Sequence, residues 1–157
     1  MEEYAGAIVD LDGTVYRGDS LVPGADRGLE ALREAGVGTL FVSNNPTASP
    51  ETFADRLAGM GVSVPPDRIL TSGSLTAAYL RNEHGGERVF VVGEAGLRDQ
   101  FDGVRTTDDP SSAAVFVASL DRDLAYPDLV DALRAAEAAG TYVATDPDGT
   151  IPSESGP

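Results

Sequence analysis

The chain has 157 residues, enough for one ordinary domain or a compact domain with a small appendage and too few for two full-sized ones. Its 26 acidic and 11 basic residues leave a formal net charge of −15, which argues against a nucleic-acid partner, because phosphate backbones demand neutralising cations. Cysteine is absent, which excludes disulfides and thiolate metal sites.

Every basic residue is arginine, and there is no lysine. High acidity without lysine resembles the composition of haloarchaeal proteins in molar salt, where a strongly negative surface stays hydrated; at low salt the same charge repels itself. The alternative source of this bias is an acidic protein from a GC-rich bacterium. No apolar run approaches the roughly 20 residues that span a bilayer. The N-terminus carries Glu2 and Glu3 and shows neither a basic segment nor a signal-type apolar stretch. The expectation is a soluble cytoplasmic protein with no membrane partner.

Short β-branched runs alternate with segments of helical period, the pattern of an α/β protein with a largely parallel sheet. Tyr4 to Leu11 reads as the first buried strand. Pro23 and Gly24 open a helix with Ala25, Leu29, Leu32 and Ala35 at helical spacing, closed by Gly36. Val37 to Val42 is the second strand. Ser49, Pro50 and Glu51 start a helix with a capping hydroxyl, a first-turn proline and a carboxylate at the positive end of the dipole. Phe53, Leu57 and Met60 form its buried stripe, and Gly59 and Gly61 mark its end. After an extended stretch over Val62 to Thr71, a helix is predicted from Ser74 to Asn82, a strand at Arg88 to Val92, a short helix near Ala95 to Phe101 and a strand at Ala113 to Leu120. Pro127 begins a longer helix with Leu129, Val130, Leu133 and Ala136 on one face, ended by Gly140. Tyr142 to Thr145 is the last strand, and the tail is rich in turn residues.

The most informative motif is Asp10-Leu11-Asp12-Gly13-Thr14-Val15, directly after the first apolar strand. Carboxylates at i and i+2 of an extended segment point the same way, and a buried strand rarely tolerates two unpaired charges, so both belong at the strand's carboxyl end. That end is where open α/β sheets bind ligands. One carboxylate there can attack phosphorus, while the other donates and then accepts a proton. A magnesium ion would hold the pair and screen it from an anionic substrate. Gly13 permits the tight turn, and Thr14 offers a hydroxyl. The plain alternative is an Asp-Gly turn with Asp10 as a cap. Phe41-Val42-Ser43-Asn44-Asn45-Pro46 ends the second strand in a hydroxyl and two amides, which can bind phosphate oxygens without adding negative charge. Its alternative is a strand-to-helix loop with turn-forming asparagines.

With these residues the sequence resembles the haloacid dehalogenase (HAD) superfamily of phosphatases, and within it the NagD-like, nitrophenylphosphatase-like branch. The matching segments are Asp10 to Gly18, Leu21 to Ala25, Phe41 to Glu51, Ile69 to Gly73, Val91 to Leu97 and Ala144 to Gly156, in the family's order along the whole chain. The resemblance implies that Asp10 is the nucleophile forming an aspartyl-phosphate and Asp12 the general acid/base, with Mg2+ held by the Asp10 carboxylate and the Asp12 main-chain carbonyl. Gly13, Thr14, Ser43, Asn44 and Asn45 would line the phosphate and substrate side. Val15 to Val22 would be a flap hairpin. Residues 1–72 would be the N-terminal half of a Rossmann-like core, and 73–157 a partial α/β cap that selects the substrate. Asp146, Asp148, Thr150 and Ser153 would lie on a cap loop facing the site, the alternative being a solvated acidic turn. Complete relatives often self-associate through the cap, a route to a homo-oligomer, but half of that cap has no counterpart here and the sequence leaves the oligomeric state open.

The resemblance also implies a later lysine that neutralises nucleophile and phosphate and a later acidic motif that completes the magnesium site, neither of which has a counterpart here. The expectation is therefore a C-terminally truncated family member. One lost donor of that kind costs about 100-fold to 1000-fold in rate. Three functions follow, in order of preference. The first is a magnesium-dependent phosphomonoester hydrolase for a small phosphorylated metabolite. The second is a catalytically incompetent fragment with a binding or partial-domain role. The third is a receiver-type phosphoacceptor, disfavoured because it too would use a supporting lysine. His84, beside Gly85 and Gly86, reads as a solvated loop residue, and Arg17 as a surface arginine near the flap. The spacing of Gly93 and Gly96 is not a dinucleotide fingerprint.

Overall fold

The computed structural model describes residues 4–148. Among these the chain forms two compact units, one from residues 4–43 and 50–71 with Asp148, the other from Asn44–Ser49 and Ser72–Pro147.

The first unit contains β1 (Gly6–Asp10), a hairpin of β2 (Tyr16–Arg17) and β3 (Ser20–Leu21), α1 (Ala25–Glu34), β4 (Gly38–Ser43), α2 (Pro50–Gly59) and β5 (Ile69–Thr71). Its sheet is parallel in the order β1-β4-β5, with Asp10 opposite Val42 and Ser43 opposite Thr71. The carboxyl ends of the three strands therefore lie nearly level, and the polar residues Asp10, Ser43 and Thr71 share that end. Phe53 and Leu57 of α2 are buried as their spacing predicts, while Met60, past the helix end, is only half-buried. The extended stretch predicted from Val62 shortens to Ile69–Thr71, because Pro65 and Pro66 lack the N–H a ladder needs and residues Pro66–Arg68 coil into a 3-10 turn.

The first strand departs from its predicted burial. Among the described residues β1 pairs only with β4, so it lies at the sheet's edge, and Ile8 is 74% exposed. Tyr4 is also exposed. Leu29 and Leu32 of α1 are half-buried, and no residue of that helix is fully buried.

The second unit alternates α3 (Ser72–Glu83), β6 (Val89–Val92), α4 (Ala95–Arg98), β7 (Val115–Ala118), α5 (Tyr126–Ala138) and β8 (Thr141–Ala144). Its parallel sheet runs β6-β7-β8. Period-2 alternation puts Val89, Val91, Val115 and Val117 on one face, packed with Ala77, Leu80, Leu97 and Phe101. Each such side chain contributes about 1.5–3 kcal/mol when fully buried. The other face carries Phe90, Phe116 and Tyr142 in one cross-strand row, with ring centroids 6.4 and 6.5 Å apart. Ala113, Ala135 and Ala139 pack with Phe90 and Phe116. Small residues let α5 approach these rings, so Ala135 turns inward and Leu129 and Leu133, the larger residues of the predicted stripe, are exposed. His84 departs from its reading as a solvated loop residue. Its Nδ1 lies 3.2 Å from Glu87 Oε2, its Nε2 lies 3.1 Å from the Tyr79 hydroxyl, and its side chain is 13% exposed. No helix of the described residues is long and apolar enough to cross a membrane.

Candidate active site

The site of the first unit forms where β1 ends. Leu11 is fully buried, and its N–H continues the ladder by donating to the Val42 carbonyl at 3.0 Å. The chain then turns back on itself: Thr14, Val15 and Tyr16 all donate main-chain N–H bonds to the Leu11 carbonyl, and Gly13 N–H donates to the Tyr16 carbonyl at 2.7 Å. Gly13 takes φ +83, a conformation that strains any other residue. This turn places Asp10, Asp12 and Thr14 in solvent around a buried apolar anchor.

Two neutral hydroxyls hold the two carboxylates. Thr14 Oγ1 donates to Asp10 Oδ2 at 3.1 Å, and Ser43 Oγ donates to Asp12 Oδ2 at 3.0 Å. Ser43 is 5% exposed, at the end of β4. Among the described residues neither aspartate is in an ion pair. A cation is therefore the natural complement of this end of the sheet.

Tyr16 lies directly under the turn. The residue is 1% exposed, its buried hydroxyl makes no well-formed hydrogen bond among the described residues although the Asp12 carboxylate lies near it, and the Arg56 guanidinium stacks 4.5 Å over the ring. Arg56 also donates to the Gly18 carbonyl at 2.8 Å, tying α2 to the hairpin. Burial foremost, and then the negative charge of Asp12, push the phenol well above the ordinary tyrosine range, while Arg56 acts in the opposite direction. Sequence reasoning passed over both residues. The available signals were an aromatic at the fourth position after Asp12 and an arginine one turn beyond Phe53.

Of the residues singled out in the sequence, the structure brings Asp10, Asp12, Gly13, Thr14 and Ser43 together in the first unit. Asn44 and Asn45 follow Ser43 in the chain and belong to the second unit. Asn45 Oδ1 accepts from the Thr47 N–H at 2.9 Å and the Thr47 hydroxyl at 2.8 Å, an Asx-type closure of the loop. Asp146 is half-buried near the end of the second unit, and Asp148 is exposed. Thr150 and Ser153 lie outside the described residues. The segment Val15 to Val22 does form a hairpin, with Tyr16 opposite Leu21 and Arg17 opposite Ser20.

A parallel α/β unit with two hydroxyl-held aspartates at the end of its first strand is an α/β protein with a polar site at the carboxyl end of its sheet, where open α/β sheets bind ligands. The family model for haloacid dehalogenase-like hydrolases matches residues 7–106, and the chain belongs to that family. Among curated relatives it is 37% identical over 154 residues to the sugar-phosphatase AraL of Bacillus subtilis, covering 97% of this chain and 57% of that one. It is 32% identical to the acid sugar phosphatase of Staphylococcus haemolyticus, covering 99% of this chain and 60% of the relative. The p-nitrophenyl phosphatase from Archaeoglobus fulgidus matches with a TM-score of 0.91 at 32% identity, over 99% of this chain and 60% of that structure. The 4-nitrophenylphosphatase from Thermotoga maritima matches with a TM-score of 0.89 at 34% identity, over 99% and 59%. The chain thus spans roughly three-fifths of the length of these relatives.

Proposed function

We propose that this chain carries the phosphoryl-transfer machinery of a phosphomonoester hydrolase for small phosphorylated metabolites, sugar phosphates foremost, with nitrophenyl phosphate as a surrogate. One observation supports the reading above the others: two aspartates at one strand end, outside any ion pair among the described residues and each held by a neutral hydroxyl. The names of the sugar-phosphatase and nitrophenylphosphatase relatives point to the substrate class.

In this reading Thr14 orients the Asp10 carboxylate, whose oxygen attacks phosphorus and forms an aspartyl-phosphate as the substrate's ester oxygen leaves. Asp12 gives that oxygen its proton, then takes a proton from the water that attacks the phosphorus and frees phosphate. Ser43, Asn44 and Asn45 bind the phosphoryl oxygens. Residues 1–72 act as core and 73–157 as cap.

The donor set suits magnesium. Asp10 supplies carboxylate oxygen, and the Asp12 main-chain oxygen takes no main-chain N–H among the described residues. No group of three or more His, Cys, Asp or Glu side chains converges among the described residues, so water and substrate would complete the shell, as is usual for this small, strongly hydrated ion. When bound, the ion offsets charge on the phosphoryl oxygens.

The test is phosphate release from p-nitrophenyl phosphate by the 157-residue chain with magnesium in molar KCl, beside its Asp10→Asn variant. Release that vanishes in the variant supports the reading; equal release by both overturns it. A second reading, a binding module without turnover, is favoured by the absence of any lysine to offset the transferring charge. It predicts no release from a folded chain that still binds phosphate.

A further inference from the structure

We infer that Gln100, seated against Gly96 and Gly73, is a positioning residue for the loop that carries Asn44 and Asn45; the inference rests on the reading that these asparagines bind the phosphoryl group. All the residues concerned lie in the second unit. Gln100 Nε2 donates to the Pro46 carbonyl at 2.9 Å and to the Gly96 carbonyl at 2.8 Å, spanning 54 positions of sequence in the first of these bonds. Ser72 Oγ donates to the Asn44 carbonyl at 2.6 Å, so consecutive parts of the loop are held by side-chain donors from α3 and from the turn after α4.

The glycines make this seat possible. A Cβ on Gly96 would lie 1.9 Å from the Thr47 carbonyl oxygen, and one on Gly73 would lie 2.7 Å from the Pro46 oxygen and 2.8 Å from Gln100 Nε2. Both helices therefore meet the loop backbone to backbone, with the Gln100 amide filling the remaining space. Of the glycines in the Val91 to Leu97 segment, which do not fit a nucleotide fingerprint, Gly96 is explained by this contact: it is where α4 admits the loop. Within the loop the Asn45 carbonyl oxygen is spent on Thr47, which fixes the rotamer of Asn45 and the direction of its amide. Carbonyls are acceptors only, so what Gln100 must supply is a donor.

That requirement sets the test. Gln100→Glu keeps the shape and turns the donor into an acceptor facing two carbonyls, whereas Gln100→Lys keeps a donor. In the full 157-residue chain with magnesium, inorganic phosphate is titrated while the Asn44 and Asn45 amide resonances are followed, and hydrogen exchange is read at the Thr47 N–H. The expected result is phosphate binding weaker by about tenfold and faster Thr47 exchange in Gln100→Glu, with Gln100→Lys within about twofold of the parent. Equal affinity and exchange in all three chains overturns the inference, as does equal loss in both variants, which would assign the effect to side-chain shape. If phosphate leaves the Asn44 and Asn45 resonances of the parent unmoved, the phosphoryl-binding reading falls. Thr47 exchange then decides the seat alone, supporting it if faster only in Gln100→Glu and overturning it otherwise.

Discussion

The Ser43 hydroxyl donates to Asp12 Oδ2 at 3.0 Å, joining the end of β4 to the turn after β1 across 31 positions of sequence. The bond exists because parallel pairing puts Asp10 opposite Val42, so Ser43, the last residue of β4, meets the turn just beyond β1. Ser43→Ala removes it and leaves Asp12, which is exposed, to water. The expected cost is about 1.5 kcal/mol of stability, the low end for a charged acceptor. Phosphate release should fall about 100-fold, as for loss of one donor to developing charge. Urea denaturation and the nitrophenyl phosphate assay read the two quantities separately, and an unchanged rate would remove Ser43 from the phosphoryl site.

Tyr16→Phe tests the buried phenol. Among the described residues its hydroxyl makes no well-formed hydrogen bond, although the Asp12 carboxylate lies near it, and an unsatisfied buried polar group costs about 1–3 kcal/mol, so the variant should be more stable than the parent by about 1 kcal/mol near neutrality. The sign at high pH follows from the raised pKa. The folded state holds the proton more tightly than the unfolded chain, so this group's contribution is full below the unfolded value of about 10 and is lost as pH rises above it. The parent should lose up to about 1.4 kcal/mol per pH unit in that range beyond whatever the variant loses. Parallel stability curves above that pH would show that the phenol titrates as in the unfolded chain.

How far the sequence discloses this protein depends on which force sets each feature. Asp10 and Asp12 were legible because charge cannot be buried in a strand, and Phe53 and Leu57 because helical period and burial agree. Periodicity did not disclose the exposure of Ile8, because a β-branched run looks the same at a sheet's edge as at its centre; the resemblance did, since it implies strands flanking the first that have no counterpart here, and among the described residues β1 pairs on one side only. Leu129 and Leu133 misled for a related reason. Hydrophobic period marks a stripe, but the residues that pack with Phe90 and Phe116 are Ala113, Ala135 and Ala139, small side chains in place of the larger leucines. Tyr16 and Arg56 carry only weak local signals and Gln100 none, because their contacts are made with residues distant in sequence or with main-chain atoms.

Salt should stabilise this chain to an unusual degree. With a net charge of −15 and no lysine, its acidic side chains repel over distances that dilute buffer leaves largely unscreened, whereas at molar ionic strength the screening length falls to about 3 Å. The melting temperature should rise steadily from dilute buffer into molar KCl, and NaCl should act similarly. A flat or falling response would show that self-repulsion contributes little and would favour the acidic, GC-rich bacterial explanation of the composition.

Two glycine-to-alanine changes should have opposite signs. Gly28 lies inside α1 with open space where a Cβ would stand, so Gly28→Ala replaces a poor helix former with the best one and should stabilise by about 0.5–1 kcal/mol. Gly96 also lies in a helix, and propensity alone would favour alanine there too. Its added Cβ would stand 1.9 Å from the Thr47 carbonyl oxygen, however, and the obstacle is main chain that a rotamer change cannot relieve. Overpacking of this kind costs about 1–3 kcal/mol, which exceeds the propensity gain, so Gly96→Ala should destabilise despite its helical site. Urea midpoints of the two variants measure the difference directly. If Gly96→Ala were neutral, the loop from Asn44 to Thr47 would have room to withdraw from α4, and the close backbone approach would not be what holds it.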